Sequence, residues 1–255
     1  VAVEKLPAGT CYNWRVTLGD ADGGGTALEV LDPFARAVSM AGWQRSAWRP
    51  GGPLGMRGVV TPPAGTPRPA PIGLEGAVIY ELHVRDFSAS DNTVSARNRG
   101  KYLAFTEWNS NGMRHLRGLA RAGLTDVHLL PVFNFASTPE TNCITPVIPD
   151  AAPDSDAQQA AVGAVRGEDC FNWGYDPWHF NAAEGSFSSN ADDGAARIRE
   201  LRAMVMALNF SGLRVGMDVV YNHTSASGQS DRSVLDRVVP GYYHRLNGAG
   251  EIERS

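Results

Sequence analysis

The chain has 255 residues, 43% of them hydrophobic, and a net charge of −4 at neutral pH. That length suits one full domain or parts of two, and the apolar content excludes a wholly disordered chain. Scattered basic residues under a net negative charge exclude a general nucleic-acid binder, and no apolar run approaches the ~20 residues needed to span a bilayer.

The N-terminal "VAVEKLPAGTCYNWRV" has no basic region followed by an apolar one, and it lacks an initiator Met. It begins mid-pattern, as though cut from something longer. Residues 1–49 read as β-structure. "CYNWRVTL" alternates, "ADGGGTALEVL" offers a Gly-rich turn and a second strand, and "RAVSMAGWQ" a third. Gly23–Gly25 read as a turn rather than a phosphate cradle, because no helix follows. So few strands suit the end of a β-domain better than a whole one. Residues 50–76 are crowded with Pro and Gly and read as a connector.

Residues 77–255 follow a different pattern. "AVIYELHVRDF" reads as a strand, "NGMRHLRGLARAG" as a helix, "LTDVHLLPVF" as a strand, "GAARIRELRAMVMALNFSG" as a helix and "LRVGMDVVYNHT" as a third strand. The first helix carries Met113, Leu116, Leu119 and Ala120 at helical spacing, and the second Ile198, Leu201, Val205 and Leu208. Gly123 and Gly212 stand where C-caps belong. Near-continuous apolar strands alternating with helices predict parallel pairing with right-handed crossovers. A doubly wound sheet would fit as well. However, no G-x-G-x-x-G follows the first strand, and polarity collects at strand ends in "HVRDF", "PVFNF" and "YNHT". The barrel is favoured.

Between the second strand and second helix lies a long insertion, residues 134–190. Its first part reads as irregular surface structure, and its second, "FNWGYDPWHFNAAEGSF", is dense in aromatics. Aromatics interleaved with polar groups suit sugar rings, which need a flat face to stack on and partners for their hydroxyls. A hydrophobic cluster pinning the loop would have the same composition. Cys143 and Cys170 flank this loop and could pair; loose thiols fit equally well, and Cys11 stands apart.

"VIYELHVRDFS", "LTDVHLLPVFNFAS", "FNWGYDPWHF", "LRVGMDVVYNHT" and "VPGYYHRL" together resemble successive landmarks of pullulanase-type debranching enzymes in the α-amylase superfamily. "DVVYNH", Asp218 to His223, is similar to the superfamily's first signature region at the end of barrel strand three. "FNWGYDP" is similar to the pullulanase Y-N-W-G-Y-D-P and departs from it at Phe171, which lacks one hydroxyl. "YNWRV" and "VLDPFARAVSMAG" look like the closing strands of the carbohydrate module that precedes these barrels. The fold implied is α/β: the first three β/α units of a TIM (β/α)8 barrel, preceded by part of a β-sandwich module.

The resemblance implies roles as well. Tyr175 would stack under the sugar ring at the cleavage subsite, beside Trp173. His223 would hydrogen-bond that sugar, Asp218 would orient neighbouring groups, Asn222 would hold its loop and Asp176 would brace the aromatic loop. Asp218, placed within the third strand, reads equally well as structural. His83 and His128, also inside strands, read as core histidines. The implied partner is an α-glucan, and the implied reaction is hydrolysis of α-1,6 branch linkages. Calcium is common in the family, but no ligand set can be assembled from these residues.

A retaining glycosidase needs two carboxylates about 5 Å apart. In this superfamily they come from later strands, and nothing after "YNHT" resembles the nucleophile strand. Glu81, Asp86 and Glu184 are the nearby carboxylates that could be nominated instead. The expectation is therefore a fragment carrying one wall of the cleft. It would be inactive alone and, with a sheet edge unpaired, prone to associate. Three rival readings remain: an isoamylase or branching enzyme of the same superfamily, a metal-dependent hydrolase using His83, His128 and His223, and a non-catalytic glucan-binding protein. Compartment stays open, with a secreted, cell-surface or periplasmic location slightly favoured.

Overall fold

The computed structural model describes Pro7 and residues 10–19, 25–39, 57–59 and 73–253. The N-terminal part is β-structure. Strands β2 (Trp14–Gly19) and β3 (Gly25–Val30) pair antiparallel in continuous register from Trp14 opposite Val30 to Gly19 opposite Gly25. The Gly-rich turn between them lies largely outside the described residues. A second sheet has the order β1 (Cys11–Tyr12), β5 (Arg57–Val59), β4 (Val38–Ser39), with antiparallel pairing throughout. Strand β5 falls inside the stretch read as a connector: amid the prolines and glycines, "RGVV" ends in β-branched residues that pleat readily. The last residues of that stretch include a single 3-10 turn, Leu74–Gly76; residues 50–56 and 60–72, and the remainder of the third strand expected after Val38–Ser39, lie outside the described residues.

The second part is built on three parallel strands: β6 (Ile79–Leu82), β7 (Asp126–Leu129) and β10 (Arg214–Met217), in the order β10-β7-β6. Helix α1 (Asn111–Arg121) connects the first pair. Ser110 caps its N-terminus by accepting from the Met113 N–H, and Gly123 follows it at φ +112°. Helix α3 (Gly194–Phe210) leads into β10. Asp193 accepts there from the N–H groups of Ala195 and Ala196, and Gly212 follows at φ +84°. Both glycine caps stand where the sequence puts them. Leu82, Val127, Leu129, Met113, Leu116, Met204, Leu208 and Phe187 share one core between the sheet and the helices.

Helix α3 is rotated from its sequence-based orientation. Of Ile198, Leu201, Val205 and Leu208, Leu208 is fully buried, Leu201 packs half-buried against the core, and Ile198 and Val205 are half-buried; the fully buried face is Gly194, Ala196, Arg197, Glu200, Met204 and Leu208. The cause is polar. Arg197 is fully buried and donates two hydrogen bonds to the Glu140 carboxylate at 2.6 Å each, which turns a charged residue inward where apolar periodicity expects a hydrophobic one.

The insertion is also more ordered than the sequence suggests. The chain breaks from β7 at Pro131 and forms β8 (Phe133–Phe135), which pairs antiparallel with β9 (Pro177–Ala183). Between them lies helix α2 (Ala157–Val165), formed from the Ala- and Gln-rich "AQQAAVGAV". Cys143 and Cys170 form a disulfide across this excursion, Cα atoms 4.9 Å apart. Ala182 of β9 and Trp178 pack against Leu31, Ala35 and Val38, which joins the two parts of the chain. The last helix, α4 (Leu235–Val238), is a single turn.

Candidate functional site

The segment Phe171–Asp176 arches over the C-terminal ends of β6 and β10. Its shape is dictated locally. Asn172 Oδ1 accepts from the Gly174 N–H at 2.8 Å, a side-chain turn that needs an Asn two residues before the bend. Gly174 has φ +92°, and a Cβ there would sit 2.8 Å from Pro131 Cβ and 3.1 Å from the Pro131 carbonyl oxygen. Only glycine satisfies both constraints.

Three contacts tie the arch down. The Asn172 side-chain N–H donates to Asp176 Oδ1 at 3.0 Å, and Asp176 Oδ2 accepts from the Ser137 hydroxyl. The Ala136 N–H donates to the Asp176 carbonyl at 3.1 Å. From beneath, His83 Nε2–H donates to the Asn172 carbonyl at 2.8 Å while its Nδ1 accepts from the Asp86 N–H at 3.2 Å. Its ring lies 5.6 Å from that of Phe171. His83 follows strand β6 rather than lying within it, and both of its ring nitrogens are engaged.

The arch presents Tyr175 to residues beyond β10. The Tyr175 hydroxyl donates to Asp218 Oδ2 at 2.9 Å, and His223 Nε2–H donates to the Tyr175 carbonyl at 2.7 Å. Partial burial, then the hydrogen bond to Asp218 and its charge, push the Tyr175 phenol up to about 12, so it remains a donor. Strand β10 ends at Met217, so Asp218 lies just past the strand rather than within it. Its N–H still donates to the Leu129 carbonyl at 2.9 Å and extends the ladder by one bond.

Asn222 and His223 line a cavity of about 560 Å³ together with Phe180, Tyr221, Tyr243 and Arg245. Trp173 is 59% exposed and faces a different hollow, beside α2. The structure therefore brings Tyr175, Asp176, Asp218 and His223 into one bonded group, places Asn222 beside it and sets Trp173 apart. His83, read from the sequence as a core histidine, and Asn172, not singled out there, anchor the arch. The N-x-G spacing in "FNWGYDP" carried the signal for Asn172.

The nominated carboxylates are placed differently. Glu184 is fully buried: Oε2 accepts from the Asn134 side chain at 3.2 Å and the Phe135 N–H at 3.1 Å. Burial, then nearby Glu140, push it up to about 7. It belongs to a sealed network with Arg197, Glu140, Asn134 and His179. Asp86 is half-exposed and paired with Arg85. Glu81 lies opposite His128 in the β6–β7 register. Among the described residues no three His, Cys, Asp or Glu side chains come together as metal ligands. His83, His128 and His223 do not converge. No helix among the described residues is long and apolar enough to cross a membrane.

No family model matches the chain. It is 49% identical over 183 residues to Pullulanase 1, chloroplastic, of Arabidopsis thaliana, covering 69% of this chain and 19% of that protein. It is 36% identical over 272 residues to the pullulanase of Klebsiella aerogenes, covering 88% and 24%. The structure of Klebsiella pneumoniae pullulanase complexed with maltotriose superposes with a TM-score of 0.78 at 32% identity, over 96% of this chain and 27% of that one. The chain thus spans about a fifth to a quarter of the length of these curated relatives. Its α/β fold resembles that of the solved pullulanases.

Proposed function

This chain is a pullulanase homologue over most of its length, and from that premise we propose that it forms one wall of the α-glucan cleft of a debranching glycoside hydrolase. The linkage cleaved is the α-1,6 branch of pullulan, starch or glycogen-type glucans. Strands β6, β7 and β10, with α1 and α3 between them, belong to the first three β/α units of a (β/α)8 barrel. Strands β1–β5 are the end of a β-sandwich carbohydrate module. Two observations favour the barrel: the parallel order, and the open edges of β6 and β10, where Ile79 and Met217 are exposed.

The single observation that carries the reading is the bonded group Tyr175–Asp218–His223 at the C-terminal ends of the strands, the face where barrels place their sites. Tyr175 offers an aromatic face for a glucose ring, oriented at its hydroxyl by Asp218 and at its backbone by His223. Because His223 Nε2–H is engaged with Tyr175, the other ring nitrogen is the one that serves the sugar. Asn222 lines the cavity beside His223. Asp176 braces the arch.

Cleavage with retention needs a nucleophile and an acid about 5 Å apart. Among the described residues the close carboxylates Glu140 and Glu184 are buried against Arg197 and cannot meet a sugar. Neither is therefore given a reacting role. The natural protein should release maltotriose from pullulan. Transfer of glucan chains without new reducing ends would replace this reading with a branching enzyme.

A further inference from the structure

Helix α2 has no fully buried residue, only Ala157, Gln158, Ala161 and Val165 half-buried along one face, and the Cys143–Cys170 disulfide closes the excursion that carries it. Nine residues are too few for a helix to persist in water on propensity alone, and packing normally stabilises so short an element. The outer face of α2 walls a hollow of about 700 Å³. The opposite wall is Phe171, Asn172 and Trp173 of the arch.

The chemistry of that hollow is specific. Phe171 and Trp173 are 44% and 59% exposed, a large aromatic area for a protein surface. Gln159 and Arg166 are exposed on the facing wall and supply donors. Gln158 is steadied by its amide N–H, which donates to the Ala151 carbonyl at 2.9 Å. The lining charges are one Arg166 and one Asp169, and the Asp169 carboxylate already accepts from the Phe171 N–H at 2.7 Å. An aromatic floor with amide and guanidinium donors and no net charge suits a neutral polyhydroxyl chain rather than an anion.

We infer that the hollow between α2 and Trp173 is a second α-glucan subsite. It would take glucose units of the chain whose reacting part lies over Tyr175. The inference rests on the reading of Tyr175 given above; Trp173 stands two positions before Tyr175 in the same arch, on its other side. Trp173 stacks on a ring, and Gln159 and Arg166 hydrogen-bond its hydroxyls.

The test is calorimetric titration of the protein with maltotriose and with maltoheptaose. Maltoheptaose should bind about tenfold tighter, the worth of one or two added hydrogen bonds and a stacked ring. The double variant Gln159→Ala/Arg166→Ala should remove that gain and leave maltotriose unchanged. Gly163→Leu should do the same by filling the hollow, since a side chain there meets nothing within 4 Å. Equal affinity for the two sugars, or variants that weaken both alike or neither, would overturn the subsite while leaving the Tyr175 site standing. Failure of the unaltered protein to bind either sugar would overturn both.

Discussion

His223 Nε2–H donates to the backbone carbonyl of Tyr175 at 2.7 Å, across 48 positions of sequence. The contact ties the residues following β10 to the arch that follows β8, and it leaves Nδ1 as the ring's second hydrogen-bonding atom. The Tyr175 hydroxyl is fixed separately, by Asp218. The aromatic face is therefore set by two independent bonds from one strand end, a preorganised surface that loses little freedom on binding.

Tyr175→Phe keeps the aromatic face and deletes the bond to Asp218. Maltotriose affinity should fall about fivefold, the worth of one hydrogen bond. Tyr175→Ala removes the face as well and should cost about a hundredfold. Equal losses for the two variants would mean that the ring does not stack on sugar.

Gly174→Ala forces a left-handed conformation on a residue with a side chain and drives its Cβ against Pro131. The expected loss of stability is about 2–3 kcal/mol, measured by denaturant unfolding. An unchanged midpoint would show that the arch relaxes freely.

Arg197→Met leaves the Glu140 carboxylate buried without its cation. Such a break costs about 3–5 kcal/mol. Adding Glu140→Leu should recover part of that loss, because it removes the stranded charge. A double variant as unstable as the single one would mean that Arg197 acts through its packing alone.

His179 and Glu184 give stability an unusual pH dependence. Burial, then Arg197, hold the His179 imidazole down to about 3 from an ordinary 6.5. The unfolded chain takes up that proton first, so stability falls as pH drops from 6.5 toward 3. Glu184 is raised from an ordinary 4.5 to about 7, so the unfolded chain releases its proton first. Its contribution is therefore lost as pH rises from 4.5 through 7. The two slopes oppose one another between 4.5 and 6.5 and flatten the curve there. His179→Gln should remove the acid-side loss. Relative to the unaltered protein, the variant should gain about 1.4 kcal/mol per pH unit as pH falls below 6.5. Parallel stability curves would contradict this.

Elements governed by apolar periodicity and glycine caps were legible in the sequence: α1, β6, β7, β10 and both ends of α3 all lie close to where the pattern puts them. Elements governed by polar burial or distant pairing were not. The face that α3 buries depends on Glu140, 57 positions before Arg197, and no local pattern encodes that. The β8–β9 pair joins Phe135 to Pro177 across the whole insertion. Helix α2 offers only the small stripe Ala157, Ala161 and Val165, half-buried, too weak a pattern to stand out from the insertion. The contacts of the candidate site depend on β10 lying beside β7. The motifs FNWGYDP and DVVYNH named its residues, whereas their bonding to one another and the anchoring by His83 emerge only from the fold.

The central claim is most directly tested by a crystal structure of the protein with maltotriose. The account predicts a glucose ring stacked on the face of Tyr175, with one hydroxyl about 3 Å from His223 Nδ1. Maltotriose bound elsewhere, with Tyr175 and His223 untouched, would contradict it.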